Sequence, residues 1–357
     1  MLSQVTAEPL VPADHPIRQI KPIVDKALRE LSPTLNRMYA QTGRPSIPPE
    51  HLLKACSLIW LYSVRSERQF CERLQYDLLF KWFLDINIID PAFDASTFSK
   101  NKERLLKHDV AREFLLVVIE EAKGCRLLSE DHFTVDGTLL EAWASLKSFR
   151  PKDKDDSTLS GVDRNPSVDF HGEKRSNETH QSTTDAEARL AKKARGREAR
   201  LCFTGHVLMD NRNGLVVNVA LTHATGTAER DTALDMLKQV QKGHRITVGE
   251  DKGYDTQDFI TRCQSINVTP PVARRQTSKL DGRTTRHDGY QISQKIRKRV
   301  EEIFGWAKIV GGARKLRYKG IGRNRLWWEL TDTAYNLLRI ANIALNAPIV
   351  SELCPSN

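Results

Sequence analysis

Hydrophobic positions recur at helical spacing from about residue 14 to 125, then switch to alternation at His132. Ile20, Val24, Ala27, Leu28 and Leu31 form one stripe, which Ser32-Pro33 is expected to interrupt. After the turn-rich GRPSIPP, Pro49 suits the first position of a helix over EHLLKACSLIWLYSV. Ser66 and Gln69 have the spacing of a capping box for ERQFCERL, and the apolar LLFKWFLDINII follows. DASTFSKNKERLLKH then predicts a capped helix with a basic face of Lys100, Lys102, Arg104 and Lys107. Short helices ending in a basic one suit a helix-turn-helix-like DNA reader, and a plain helical bundle with solvated charges fits equally well.

In HFTVDGTLLEAW, Phe133 and Val135 take one face and His132, Thr134 and Asp136 the other. Gly137 follows at once, which places Asp136 near the end of its strand. Residues 147–199 are too polar to hold a core and too long for an ordinary connection, so a mobile insertion is expected there. RLCFTGHVLMDNRNGLVVNVALTHA predicts two strands joined at Asn211-Arg212-Asn213-Gly214. The helix ERDTALDMLKQVQK, the strand RITVGEDKGYD, the helix TQDFITRCQSI and the short strand VTPPVA come next. A basic polar loop from Arg274 to Tyr290 leads to a last amphipathic segment. Ile246 and Val248 mark one face of their strand, and Asp251 falls at its carboxyl end with the opposite parity, as Asp136 does in its own.

That last segment, QKIRKRVEEIFGWAK, read as one helix at about 100° per residue, turns Ile296, Val300, Ile303, Phe304, Ala307 and Val310 toward a core. Arg297, Glu301 and Lys308 lie within about 40° of one another at the border of this stripe. Glu301 is thus half-sheltered between two cations, while Glu302 lies on the open side with Lys295 and Lys298. Taken alone, the segment reads as a surface helix with i,i+4 ion pairs. Trp306, opposite the stripe, is expected to pack on a neighbouring element rather than stack on an unpaired base.

This order of elements describes an α/β fold, a mixed sheet flanked by helices, with acids at two strand ends and on the final helix. Ligands in such sheets gather at the carboxyl ends of strands. Converging carboxylates need neutralisation, and oxygen-only donors select magnesium or manganese over zinc. His132, His206 and His223 lack metal-ligand spacing.

The 357 residues suffice for one large core or two moderate ones. A net charge of +10 points to a polyanionic partner. Arg314, Lys315, Arg317, Lys319, Arg323 and Arg325 sharpen this, because no acid occurs from Ile303 to Leu326 and a phosphate track is favoured. The six cysteines stand singly, as reduced thiols of a cytoplasmic protein, and neither a membrane span nor a signal peptide is expected.

Three segments, VDGTLLEAWASLKSFRPK, VGEDKGYD and IRKRVEEIFGWAK, resemble in order the acidic segments of DDE transposases from bacterial insertion sequences. The last resembles a signature of tyrosine, two residues, arginine, three residues, glutamate, six residues and lysine. It falls on Arg297, Glu301 and Lys308, with Gln294 in the tyrosine position and Tyr290 one turn earlier. NPSVDFHGEKRSNETHQSTTD is also similar to the family, and the N-terminal helices resemble the DNA-binding domain that precedes its catalytic domain.

The resemblance covers most of the chain and implies an RNase H-like catalytic domain over residues 126–349, with the insertion 147–199. Before it would lie an all-α, helix-turn-helix-like DNA-binding domain over 1–125, and after it a tail over 350–357. Asp136, Asp251 and Glu301 would be catalytic and hold two magnesium ions, for which manganese can substitute. Arg297 and Lys308 would support Glu301 and bind phosphate. Lys100, Lys102, Arg104, Arg299, Arg314, Lys315, Arg317 and Lys319 would contact DNA. The implied partners are double-stranded DNA, as element ends and target, and a second copy of the chain in a synaptic complex. The implied setting is the bacterial cytoplasm, at the nucleoid. Two other readings stay open, a metal-dependent nuclease that does not join strands and a non-catalytic DNA-binding repressor.

Overall fold

The structure, a computed structural model, describes residues 7–38, 46–152, 175–193, 196–278 and 280–346. Six helices come first: α1 (Ile17–Arg37), α2 (Pro49–Leu61), α3 (Glu67–Tyr76), α4 (Leu78–Phe83), α5 (Ala95–Lys107) and α6 (Val110–Gly124). Contrary to expectation, α1 runs straight through Pro33. Pro33 faces solvent while Leu28, Leu31 and Leu35 stay buried on the opposite stripe. Burying three leucines, at roughly 1.5–3 kcal/mol each, outweighs a cost of about 3 kcal/mol for the proline. At α3, Ser66 Oγ accepts from the Gln69 N–H at 3.1 Å, and Gln69 Oε1 accepts from Arg65 N–H at 3.0 Å. Asp94 caps α5 through the Thr97 N–H at 2.9 Å.

The sheet begins with β1 (His132–Glu141), β2 (Phe149–Pro151), β3 (His180–Ser182), β4 (Arg189–Ala191), β5 (Arg200–Asp210) and β6 (Leu215–His223). Then follow α7 (Ala228–Val240), β7 (Ile246–Gly249), α8 (Gln257–Ser265), β8 (Val268–Thr269), α9 (Gly282–Arg286), α10 (Asp288–Ile296), α11 (Val300–Ile309) and α12 (Ile321–Asn346). The main strands lie in the order β6-β5-β1-β7-β8. β1, β5 and β6 form an antiparallel meander, while β7 and β8 run parallel to β1. This is the RNase H-like mixed sheet that was expected. The β5–β6 turn falls at Asn211–Gly214, with Gly214 at φ +69°, where a side chain would be strained.

Register assigns the layers. Gly205 and His206 are neighbours on β5 and so face opposite sides of the sheet. A Cβ on Gly205 would meet the Trp328 ring of α12 at 3.0 Å. A Cβ on Gly137, which pairs with His206, would meet Glu229 of α7 at 2.9 Å. Hence α12 covers one face and α7 the other. The N-terminal helices pack on α12 and share one apolar core with the sheet. Trp60 Nε1 of α2 donates to Thr331 Oγ1 of α12 at 2.5 Å, and the Trp60 and Trp327 rings lie 6.3 Å apart.

Part of the expected mobile insertion is folded. β2 and β3 form a two-stranded ribbon, and β4 extends the outer edge of β5. Asp185 Oδ2 accepts from Gly320 N–H at 3.2 Å and Glu187 Oε2 from Ile321 N–H at 2.9 Å, so this segment caps the start of α12. Phe149 and Ala188 join the shared apolar core, while many of its polar groups bond to backbone. Residues 153–174 lie outside the described residues. The five described cysteines are free thiols, and Cys354 lies outside the described residues.

Candidate active site

Asp136 sits in the middle of β1 rather than near its end. β1 continues because β5 pairs with it as far as Glu141, whereas pairing to β7 stops at Thr134 opposite Gly249. Asp136 therefore lies two positions past its parallel neighbour, at an edge that β7 leaves open. Its Oδ1 accepts the Gly137 N–H at 2.7 Å. Burial pushes its carboxyl up to about 7; Asp251 and Glu229 add to the rise, against the Gly137 N–H and Arg297.

β7 ends two residues before Asp251, which caps a single 3-10 turn and accepts the Gly253 N–H at 2.6 Å. The preceding residue, Glu250, is buried with neither carboxylate oxygen hydrogen-bonded, and burial together with Asp251 raises it well above the carboxylate range. The Asp136 and Asp251 carboxylates thus face one charge field with one backbone N–H each.

The segment from Gln294 to Lys308 is not one helix. A 3-10 turn at Arg297–Arg299 separates α10 from α11. Tighter winding advances the phase there, so the expected pairing of Glu301 with Arg297 and Lys308 does not form. Arg297 Nε donates to Gln294 Oε1 at 2.9 Å, and Gln294 also bonds the Pro271 carbonyl. Gln294 thereby holds Arg297 near Asp136. Tyr290 donates to Val272 O at 3.0 Å. Lys308 Nζ donates to Thr138 Oγ1 at 2.5 Å, on the face of β1 that Asp136 shares. Glu301 is exposed and makes no hydrogen bond or ion pair among the described residues. No three of His, Cys, Asp and Glu gather closely enough among the described residues to enclose an ion. The core stripe itself is as expected, with Val300, Ile303, Phe304 and Ala307 buried. Trp306 packs edge-on to Tyr335 at 5.7 Å.

The basic residues divide into two groups. Lys100, Arg104, Arg314, Lys315 and Lys319 are exposed. Lys102 is a correction: at 7 % exposure it points inward, bonded to Glu67 and to Tyr318 Oη at 2.6 Å. Its position on α5 follows Phe98 and Leu105 onto the buried side. Arg317 donates to the carbonyls of Val64 and Arg65, at 3.3 and 2.7 Å, and Arg299 to those of Asn211 and Arg212, both at 3.3 Å. These two join elements of the fold. The gap in acids from Ile303 to Leu326 is partly filled from elsewhere, since Arg323 pairs with Glu103 and Arg325 with Asp109. His132 and His206 bond the threonines across their strands, Thr247 and Thr222.

Glu229 was not singled out from the sequence. It lies in the first turn of α7, two residues from Asp231, which pairs with Arg262 instead. Nothing in the linear pattern separates the two acids, because both suit a helix N-terminus.

Asp136 and Asp251 thus lie at neighbouring strands of an RNase H-like sheet, and the family match gives the class, the DNA-processing enzymes of DDE type. Residues 156–337 match the family described as the transposase DDE domain, and the chain belongs to it; the match begins beyond Asp136. Residues 5–104 match a transposase domain family (DUF772). No curated protein matches the chain. Among solved structures, the chain is similar to the piggyBac transposase in a synaptic complex with hairpin DNA, at 9 % identity and a TM-score of 0.41. That likeness covers 96 % of this chain and 86 % of the other. It is also similar to the Mos1 transposase in a paired-end complex with the left transposon end, at 12 % identity and a TM-score of 0.20, over 78 % and 83 %. Both likenesses are distant.

Proposed function

We propose that this transposase binds the ends of its own mobile element and catalyses metal-dependent cleavage and joining of DNA strands. The observation that carries the reading is that Asp136 and Asp251 each lie two residues past the paired Thr134 and Gly249 of neighbouring parallel strands, in a chain of this family. The donors fit a hard divalent cation: they are carboxylate oxygens, and one backbone N–H apiece leaves most of their lone pairs unused. Asp136, Asp251 and Glu301 would hold magnesium, with manganese able to substitute. When bound, the ions would activate a water or a DNA 3′-hydroxyl and stabilise the leaving oxygen. Arg297, braced by Gln294, would orient phosphate near Asp136, and Lys308 would do so near Thr138. Lys100, Arg104, Arg314, Lys315 and Lys319 are suited to the DNA backbone by their exposure. The synaptic complex would contain two copies, at the bacterial nucleoid.

The test compares Glu301→Gln with Glu302→Gln in magnesium-dependent cleavage of element-end DNA. The Glu301 variant should lose several orders of magnitude, about the scale of an essential catalytic group, while end binding survives. Glu302 lies toward Lys295, Lys298 and Arg299, and its replacement should keep most activity. A dead Glu302 variant beside an active Glu301 variant would overturn the assignment. Cleavage without strand-transfer products would mark a nuclease, and no metal-dependent nicking a repressor.

A further inference from the structure

Gly137 has no side chain, and the space a Cβ would fill is taken by Glu229, whose Cγ lies 2.9 Å and Oε1 3.1 Å from that position. Gly137 is also the residue whose N–H is held by Asp136. The opening of α7 is tied to the other acid as well. Arg230 reaches the Gly253 carbonyl at 3.4 Å, and the Gly253 N–H is the one that Asp251 accepts. Glu229 is therefore bracketed by the backbone beside both aspartates. It approaches from the α7 face, while Asp136 issues from the other face of β1. The two can share one space only because β7 has ended and Gly137 blocks nothing. Glu229 makes no hydrogen bond or ion pair among the described residues.

A second unsatisfied group directly follows Gly253 in the chain. Tyr254, 1 % exposed, has a hydroxyl with no hydrogen-bond partner. Burial raises it most, and Asp136 and Glu229 are the next contributors, ahead of Glu250 and Asp251. A buried phenol without a partner, close to carboxylates that accept few hydrogen bonds, marks a polar site suited to positive charge.

We propose that Glu229 is a further metal-holding carboxylate of this site, completing from α7 the donor set that Asp136 and Asp251 begin. The inference rests on the reading of Asp136 and Asp251 as metal ligands, and it assigns Glu229 a part outside the three-acid signature. On this arrangement a bound ion would draw Asp136, Asp251 and Glu229 together, since they do not enclose one as they stand, and Glu301 would serve the side that DNA approaches.

The experiment is calorimetric titration of the full-length, DNA-free protein with manganese chloride alone. Glu229→Gln should weaken manganese binding by roughly tenfold to a hundredfold, a scale seen even for groups that only support a ligand. Glu229→Asp, which keeps the charge but shortens the reach, should fall between that variant and the natural protein. Glu302→Gln should bind as the natural protein does. Thermal melting without metal guards against misfolding, and Glu229→Asp carries the test if Glu229→Gln does not fold. Natural affinity in the folded Glu229 variants overturns the proposal. Asp136→Asn separates the two readings. If it loses manganese while the Glu229 variants keep it, only Glu229 is misassigned; if all keep it, the acidic metal site falls too.

Discussion

Asp136 carries a proton in the folded protein over a pH range in which the unfolded chain has already lost it. Burial, with Asp251 and Glu229, lifts its carboxyl from 3.8 to about 7, while Arg297 pulls the other way. Below the unfolded value both states are protonated, and above about 7 both are charged. Between these limits the folded state binds more protons, so stability falls as pH rises through the window and then levels. In metal-free protein, Asp136→Asn should therefore gain stability relative to the natural chain between pH 4 and 7, by roughly 2–4 kcal/mol at the upper end. Urea unfolding at pH 5 and pH 8 in chelator measures this, and parallel curves for the two proteins would refute it. The alternation of apolar and polar positions pointed to Asp136, because strand parity is local, whereas β7 ends before Asp251 and parity reached it only by extension. Glu229 was not legible, because its place depends on where β7 stops and on the missing side chain of Gly137.

The same distinction holds for elements. Caps and strand parity are written in neighbouring residues, and Ser66, Asp94 and the Asn211–Gly214 turn behave as those residues dictate. The polar stretch after β2 was legible only as unable to form a core. Yet Ala188 joins the shared core, and Asp185 and Glu187 meet the free N–H groups at the start of α12, about 135 residues away. Such long-range capping leaves no periodic trace. Both acids also sit at the positive end of a 26-residue helix. Glu187→Ala should cost about 1 kcal/mol, as for a lost N-cap. Asp185→Ala should cost about 1–3 kcal/mol, because Asp185 is buried and its partner would be stranded. Differential scanning calorimetry reads both, and an unchanged melting temperature in the Asp185 variant would show that the cap contributes nothing. The 3-10 turn between α10 and α11 likewise escaped the periodic reading, since one apolar stripe runs across it from Ile296 to Ala307.

At the scale of the whole molecule, the helical region and the sheet are built around a single α-helix. Residues 1–125 differ from the rest in the type of element they form, but α1, α2 and α6 pack on α12, whose other side lies on β5 and β6. Trp60 covers Trp327 and bonds Thr331, Arg112 holds Asn218 and Val219 of β6, and Arg317 grips the carbonyls that follow α2. A chain beginning at Leu127 would expose this whole face of α12. At about 25 cal/mol per Å2 of apolar surface, a few hundred Å2 left bare is comparable to a domain's entire stability of roughly 5–15 kcal/mol. Such a chain is expected to be insoluble or to lack a cooperative melting transition, so the proposed DNA recognition by the helices cannot be probed by removing them. Reversing exposed charges in the intact protein does so instead. Lys100→Glu should weaken binding to element ends and lower the slope of log affinity against log salt by about one per lost phosphate contact, with melting temperature unchanged. Arg314→Glu with Lys319→Glu should do the same for DNA of any sequence. A folded, cooperatively melting chain from Leu127 onward would show that the shared core is dispensable and that two independent domains meet there.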